Sequence, residues 1–396
     1  MNKRIGIVVP PYLGHIFPTL GVGRELLQLG YEVYWMCHLD YIESMIPDGG
    51  KFIFIGKEKA GQEGRNSSNS HGIQSLKNLY EDTLIPLNEQ LYTQLSTAHN
   101  QYGFDFIISD HQTFSTPLFA VLNNIPYCMS ITAPATLEES EHFPEVNRYE
   151  REVVEAFQQR IGSFDSEALS YNAPINLVYS SRELLDSQLD GNRYHFVGPS
   201  IENRTEWPID LSRIESNIGS RPVILVSLGS LLKREERFLD LLIDAFSEED
   251  ICVVLVGEKN VRSHWPSNFE VHSYIPQLQV LALVDAVICH AGHNTVCEAL
   301  SFGLPLITLP VAFDQSFVAS KVAACGAGIR LKYKRVKASV LRESLRSILT
   351  DERYRNAATE VQESFARAGG SKVAADIVHQ AVLDDVGRKS LELHCA

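Results

Sequence analysis

Pro222-Val-Ile-Leu-Val-Ser227 is too apolar for a strand with one face in water. A run of this kind suits a strand covered on both faces, as in a parallel sheet flanked by helices. Similar short runs recur along the chain, near 252–256, 270–273, 286–289 and 306–309, and helical patterns separate most of them. The first half alternates likewise. Strand Arg4 to Val9 leads through loop Pro10 to Phe17 into helix Pro18 to Leu29 and strand Glu32 to Met36. Pro18 suits a first helical turn and Gly30 a C-cap. Phe104 to Ser109, a helix near Thr116 to Leu122, Tyr127 to Ile131, Ile175 to Tyr179 and Tyr194 to Val197 complete that half. From Ala338 to about Leu383 the pattern is helical. Strands alternating with helices mark an α/β chain with parallel sheets.

A chain of 396 residues has room for two or three domains, and 44% hydrophobic residues supply sizeable cores. Residues 201–221 carry Pro208, several charges and no periodicity, as a linker does. The expected division is a Rossmann-like domain over 1–205, a linker over 206–221 and a second Rossmann-like domain over 222–375. A last helix, 376–396, is expected to return to the first domain. Gly61 to Gly72 is polar and rich in Gly, Ser and Asn, which reads as a mobile loop.

The formal charge of −14 argues against nucleic acid as a partner. There is no apolar stretch long enough to span a bilayer, and Pro10-Pro11 cuts short the only signal-like run. The seven cysteines include no CxxC pair and read as buried thiols of a reducing cytoplasm. His and Cys show no metal-ligand spacing, and Asp-x-Asp and HExxH motifs are lacking. Gly21-Val-Gly23 fails as a dinucleotide fingerprint, since it lies inside a helical pattern with Leu26 in the third glycine's place.

The chemistry concentrates in His290-Ala-Gly-His-Asn-Thr-Val-Cys-Glu298 and Phe313-Asp-Gln315. The first segment follows the apolar run Ala286 to Cys289 and opens a helical pattern. A turn at Gly292 aims backbone N–H groups and the positive helix end at one point, a ready site for a diphosphate. His290 adds a donor, and Asn294 and Thr295 add short polar groups at the cap. Glu298, one turn on, suits a ribose diol, and Asp314 with Gln315 suits sugar hydroxyls. The order phosphate, ribose, sugar describes a nucleotide-sugar site.

These segments resemble the donor signature of glycosyltransferase family 1, the UDP-glycosyltransferase-like enzymes, and most of all bacterial carotenoid (zeaxanthin-type) and macrolide glycosyltransferases. The resemblance is strong from about Arg221 to Leu331 and weaker before it. It implies the GT-B architecture, two Rossmann-like domains facing across a cleft, with the acceptor bound by the first and the donor by the second. Gly14-His15-x-x-Pro18 matches the family element whose histidine deprotonates the acceptor hydroxyl. On position alone His15 is equally a base or a capping residue. Asp110 matches the carboxylate that orients that histidine, against a turn-capping role. His111 is adjacent, but nothing in the sequence positions it toward His15. The resemblance also implies donor contacts from Gly229 and Ser230, and nucleobase contacts from Tyr274 and Gln277. Many relatives have Trp where Tyr274 stands, and an apolar residue where His293 stands. His293 either faces solvent or adds positive charge near the phosphates.

The resulting expectation is a metal-independent, inverting hexosyltransferase without a cofactor. It would move glucose from UDP-glucose to a hydroxyl of a small lipophilic natural product such as a carotenoid or macrolide. The alternatives are a dTDP-deoxysugar donor or a nucleotide-sugar epimerase. The expected state is a cytoplasmic monomer or weak dimer, touching a membrane only peripherally if the acceptor is a lipid. Tyr41 to Leu95 and Ile131 to Ser170 are expected to line the acceptor pocket. Phe143, Tyr149 and Phe157 there either face the acceptor or belong to the core, the commoner fate of such residues. The acidic run 138–141 reads as a solvated face.

Overall fold

A computed structural model of the chain describes residues 3–56, 73–137, 144–162, 169, 173–201, 209–216, 220–228, 236–258, 261–311 and 313–384. The chain divides into two compact units. Unit 1 holds Met1–Ser180, Gln188–Arg204 and Ala368–Ala396; unit 2 holds Ser181–Ser187 and Thr205–Arg367.

In unit 1 the elements run β1 (Arg4–Val8), α1 (Leu13–Gln28), β2 (Glu32–Cys37), β3 (Lys51–Phe54), α2 (Ile73–Asn78), α3 (Ile85–Tyr102), β4 (Phe106–Asp110), α4 (Ser115–Leu122), β5 (Tyr127–Ile131), α5 (Pro144–Gly162), β6 (Asn176–Val178), then β7 (Tyr194–Phe196) after the short α6 (Arg182–Leu185) of unit 2. The seven strands form one sheet in the order β3-β2-β1-β4-β5-β6-β7, with every pair parallel. In unit 2 follow α7 (Ser212–Glu215), β8 (Val223–Ser227), α8 (Glu236–Phe246), β9 (Cys252–Val256), β10 (Phe269–His272), α9 (Gln277–Leu281), β11 (Ala286–Cys289), α10 (His293–Ser301), β12 (Leu306–Thr308), α11 (Phe313–Ala324), β13 (Gly328–Arg330), α12 (Ala338–Thr350) and α13 (Glu352–Ala368). Six parallel strands make its sheet, ordered β10-β9-β8-β11-β12-β13. Two doubly wound parallel sheets are the architecture of GT-B glycosyltransferases, as the alternation and the resemblance implied.

Each sheet reverses its strand order once, at β1/β4 and at β8/β11. At such a switch point the loops leaving neighbouring strands diverge, which opens a crevice beyond the carboxyl ends. Both sequence motifs lie at these points. The His15 loop follows β1 and Asp110 ends β4, while His290 follows β11.

The core of unit 1 packs Ile5, Ile7, Ile108 and Trp35 of the sheet under Ile16, Leu20 and Leu26 of α1. The last helix, α14 (Gly370–Asp384), adds Ala374, Ala375, Val378 and Val382 to this core. It starts before residue 376, where the sequence pattern had set it. Lys3 Nζ donates to the Val382 carbonyl at 2.8 Å, and the Tyr31 hydroxyl meets His379 Nδ1 at 2.7 Å. Gly23 has a packing role: a Cβ there would lie 2.1 Å from Trp35 Cζ2. In unit 2, Ile224, Val226, Val253 and Ile288 pack beneath Phe238, Leu242 and Phe246 of α8 and Leu341 and Leu345 of α12. Segment Ser181–Ser187 joins unit 2 through Ser181 Oγ, which accepts from Ser364 Oγ at 2.7 Å, and Glu183, which pairs with Arg367 at 3.2 Å.

Three local expectations need correction. Helix α1 starts at Leu13 rather than Pro18, so Pro18 sits inside it and His15 occupies its first turn instead of a loop. Strands β3 and β13 were not read, because Lys51–Phe54 and Gly328–Arg330 are short and half exposed. Ser212–Glu215 forms one helical turn where only irregular linker was expected.

Candidate functional site

Three neighbouring strand ends build the site of unit 1. β1 leads through Pro10 and Tyr12 into α1, whose first turn closes when His15 N–H bonds the Tyr12 carbonyl at 2.9 Å. β4 ends on Asp110, which is fully buried. β5 ends one residue before Thr132. Because the sheet order is β1-β4-β5, the three side chains converge. His15 Nδ1 lies 3.0 Å from each Asp110 carboxylate oxygen. The Thr132 hydroxyl lies 2.8 Å from His15 Nδ1 and 3.1 Å from Asp110 Oδ2. The Gln112 N–H donates to Asp110 Oδ1 at 2.9 Å. Burial alone would raise the Asp110 pKa. The imidazoles of His15 and His111 and these hydrogen bonds outweigh burial and hold it below the ordinary carboxylate value. A carboxylate so held fixes the His15 proton on Nδ1 and leaves Nε2 as the basic nitrogen.

Sequence reasoning missed two members. Thr132 lies 117 residues from His15, and only the β4–β5 pairing joins them. His111 was read as unpositioned, yet its ring stacks on His15 with centroids 5.2 Å apart and planes at 25°. Its Nδ1 is 3.4 Å from Asp110 Oδ1. The backbone turn after β4, with Thr113 N–H on the Asp110 carbonyl at 2.9 Å, sets the side from which His111 returns. Burial pushes its pKa down to about 4, so the ring is neutral at ordinary pH. Among the described residues its ring nitrogens are only weakly held, by the Asp110 carboxylate and by the Ser130 backbone. Among the described residues, His15, Asp110 and His111 also offer a donor set for a metal ion, with ligand atoms within 4.8 Å of one another.

An apolar layer flanks this group. Phe114, Tyr80, Val154 and Phe157 are buried together, and Tyr12, Leu79, Tyr149 and Val153 are half-buried against them. Phe157 therefore belongs to the core, while Tyr149 is partly accessible and donates to Glu81 at 2.9 Å. Phe143 and residues 138–141 lie outside the described residues, as does the loop 61–72.

In unit 2 the turn after β11 places Ala291 at φ +65° and Gly292 as the N-cap of α10. Gly292 brings no capping side chain, and the first turn holds no acidic residue. The helix start is therefore open to an anion. His290 folds back over the turn: a Cβ on Gly292 would lie 2.6 Å from its Nε2, which is why glycine stands there. Burial lowers the His290 pKa, against the Ser227 backbone and the Asp314 charge. It is thus a neutral hydrogen-bonding group rather than a cation, and its buried Nδ1 makes no hydrogen bond of good geometry among the described residues. Asn294 and Thr295 lie in the first turn, past the cap, and are half-buried. His293 is 6% exposed, with Nε2 3.5 Å from Cys297 Sγ, which rules out the solvent-facing alternative.

Glu298 is buried and accepts from Gln277 Nε2 at 2.6 Å, so the helix after β10 and the helix after β11 meet. Tyr274 is 37% exposed at the loop entering α9. Asp314 is exposed in the first turn of α11, while Gln315 is buried, its Oε1 accepting from the Val311 N–H at 2.9 Å. Gly229 and Ser230 lie outside the described residues.

The family model for the C-terminal domain of erythromycin biosynthesis protein CIII-like proteins matches residues 240–380. The uncharacterized UDP-glucosyltransferase YojK of Bacillus subtilis (strain 168) is 27% identical, over 94% of this chain and 96% of its own. The calicheamicin glycosyltransferase CalG4 superposes with a TM-score of 0.78 at 21% identity, covering 97% of this chain and 99% of its own. The glycosyltransferase VinC, solved in complex with dTDP, gives a TM-score of 0.74 at 17% identity, covering 96% and 100%. The macrolide side of the expected resemblance is the one these likenesses support, and carotenoid enzymes gain nothing from them. Over its whole length the chain is thus similar to glycosyltransferases of this kind, with which it shares the fold.

Proposed function

We propose that the protein is an inverting glycosyltransferase that moves a hexose from a nucleotide sugar to a hydroxyl of a small lipophilic natural product. The observation that carries this reading is His15 Nδ1 held at 3.0 Å by the buried Asp110 carboxylate at the β1/β4 switch point. His15 Nε2 takes the acceptor proton as the oxygen attacks the anomeric carbon from the face opposite the diphosphate. Asp110 and Thr132 stabilise the imidazolium that results. Unit 2 holds the donor. His290, Gly292, Asn294 and Thr295 meet the diphosphate at the open start of α10, and Gly229 and Ser230 are further donor contacts that the family resemblance implies. Glu298 and Gln277 take the ribose, Tyr274 stacks on the base, and Asp314 and Gln315 hold the sugar. The helix end and His290 stabilise the leaving diphosphate without a metal.

UDP-glucose is the first donor, supported by the name of the relative YojK. A dTDP-deoxysugar is the second, supported by the dTDP bound in VinC, and Tyr274 can stack on uracil or thymine alike. Incubation with UDP-glucose or dTDP-sugars and a panel of hydroxylated macrolides, polyketides and carotenoids, read by mass spectrometry, tests both. Sugar adducts support the transferase. Sugar conversion without any acceptor would instead establish an epimerase.

A further inference from the structure

We propose that His15, Asp110 and His111 bind a soft divalent cation such as Zn²⁺, and that this cation switches the His15 base off. Two imidazoles and a carboxylate form the N₂O donor set typical of zinc sites that keep an open fourth position. The spacing fits. His15 Nδ1 is 3.0 Å from Asp110 Oδ2, and His111 Nδ1 is 3.4 Å from Asp110 Oδ1. Ligands on a tetrahedral zinc, with bonds of about 2.0–2.1 Å, stand about 3.3 Å apart.

His111 supplies the independent observation. It is a neutral imidazole, 9% exposed at the side chain, and among the described residues its ring nitrogens have only weak contacts, with Asp110 Oδ1 at 3.4 Å and with the Ser130 backbone. A buried polar group left so is costly, and a ligand that satisfies it recovers that cost. Ligation needs the stacked ring to turn about its Cβ–Cγ bond, exchanging its contact with the Ser130 backbone for a metal–nitrogen bond. The Thr132 hydroxyl already donates to Asp110 Oδ2 and would orient the ligating carboxylate from outside. His15 is 14% exposed at the side chain, which leaves a path for the ion and for a water in the fourth position.

The consequence follows from the tautomer. A cation on His15 Nδ1 displaces the proton shared with Asp110, and that proton moves to Nε2. Nε2 is then a donor and cannot accept the acceptor's proton. Binding itself does not depend on the glycosyltransferase reading; only the inhibition rests on it.

The test uses the full chain, stripped with a chelator and titrated with Zn²⁺ against a chromogenic zinc indicator, beside His111→Phe, which keeps a stacking ring and removes its nitrogens. One equivalent should bind the wild-type protein and be weakened at least about tenfold in His111→Phe. Equal affinity in the two proteins, or no binding to the wild type, overturns the site. Should His111→Phe not fold, X-ray absorption of the zinc-loaded wild type decides. Imidazole and oxygen ligands are expected; sulfur ligation would place the ion elsewhere and overturn the proposal. Turnover should fall on adding Zn²⁺ and return with EDTA, and whatever turnover metal-free His111→Phe retains should resist Zn²⁺. Zinc binding in a protein that transfers no sugar would leave the site standing and remove the functional reading alone.

Discussion

His15 and Asp110 are separated by 95 residues, yet the imidazole Nδ1 lies 3.0 Å from both oxygens of the carboxylate. The bond fixes the tautomer, and three further contacts, from Thr132, Gln112 and His111, fix the carboxylate. Removing His15 should therefore cost more than removing a mere hydrogen-bond partner. His15→Ala is expected to lower turnover by about 10²–10⁴ and to leave donor affinity nearly intact. Asp110→Asn should lower turnover too, since an amide can steer the ring into the wrong tautomer. Steady-state kinetics with calorimetry on UDP checks both; normal turnover in His15→Ala would remove the base assignment.

Glu298 and Asp314 should separate ribose from sugar. Glu298 is buried beside Gln277, and Asp314 is exposed at the start of α11. Glu298→Ala should weaken free UDP as well as UDP-glucose, by roughly 1.5–3 kcal/mol for charged hydrogen bonds. Asp314→Ala should leave UDP affinity unchanged, lower turnover and relax discrimination among sugars. Equal loss of UDP affinity in both variants would break the order phosphate, ribose, sugar along this segment.

Activity should survive excess EDTA. The open start of α10 offers backbone N–H groups to the diphosphate, and no acidic residue stands in its first turn to bridge a metal. A strict Mg²⁺ or Mn²⁺ requirement after chelation would contradict this leaving-group arrangement.

Acid should destabilise unit 1 through its buried histidines. Burial pushes both His38 and His111 from 6.5 down to about 4. Between those values the unfolded chain binds more protons than the native one, so this stability is complete above 6.5 and fades as pH falls toward 4. Asp110, held below its ordinary 3.8, adds a further loss beneath that value. In thermal melts across this window, His111→Phe should show a shallower decline than wild type. An identical decline would mean that His111 does not charge on unfolding.

Gly23→Ala sets two effects against each other. Helix propensity favours alanine by roughly 1 kcal/mol. The new Cβ would lie 2.1 Å from Trp35, a fully buried ring whose Nε1–H donates to Thr19 Oγ1 at 3.2 Å. Overpacking of that kind costs about 1–3 kcal/mol, and Trp35 has no exposed direction in which to retreat. A lowered Tm is expected in calorimetry, and a raised one would show that the ring can shift.

The alternation of apolar runs with helical patterns was enough to specify two parallel sheets, because burial on both faces leaves a strand no other partner. Local spacing likewise marked the strand, turn and helix start that we propose to hold the donor. His290 to Glu298 and Asp314-Gln315 are short stretches whose turn and helix-start chemistry acts within a few residues. Pro18 misled because a rule for helix starts weighs one residue, whereas the packing of α1 on the sheet extends the helix back to Leu13. What only tertiary structure decided is the company His15 keeps. Strand order β1-β4-β5 brings Asp110 and Thr132 to it, and the turn after β4 lays His111 on its ring. Strand order is a property of the whole sheet and side-chain direction a property of one turn, and neither leaves a periodic trace in the residues that depend on it.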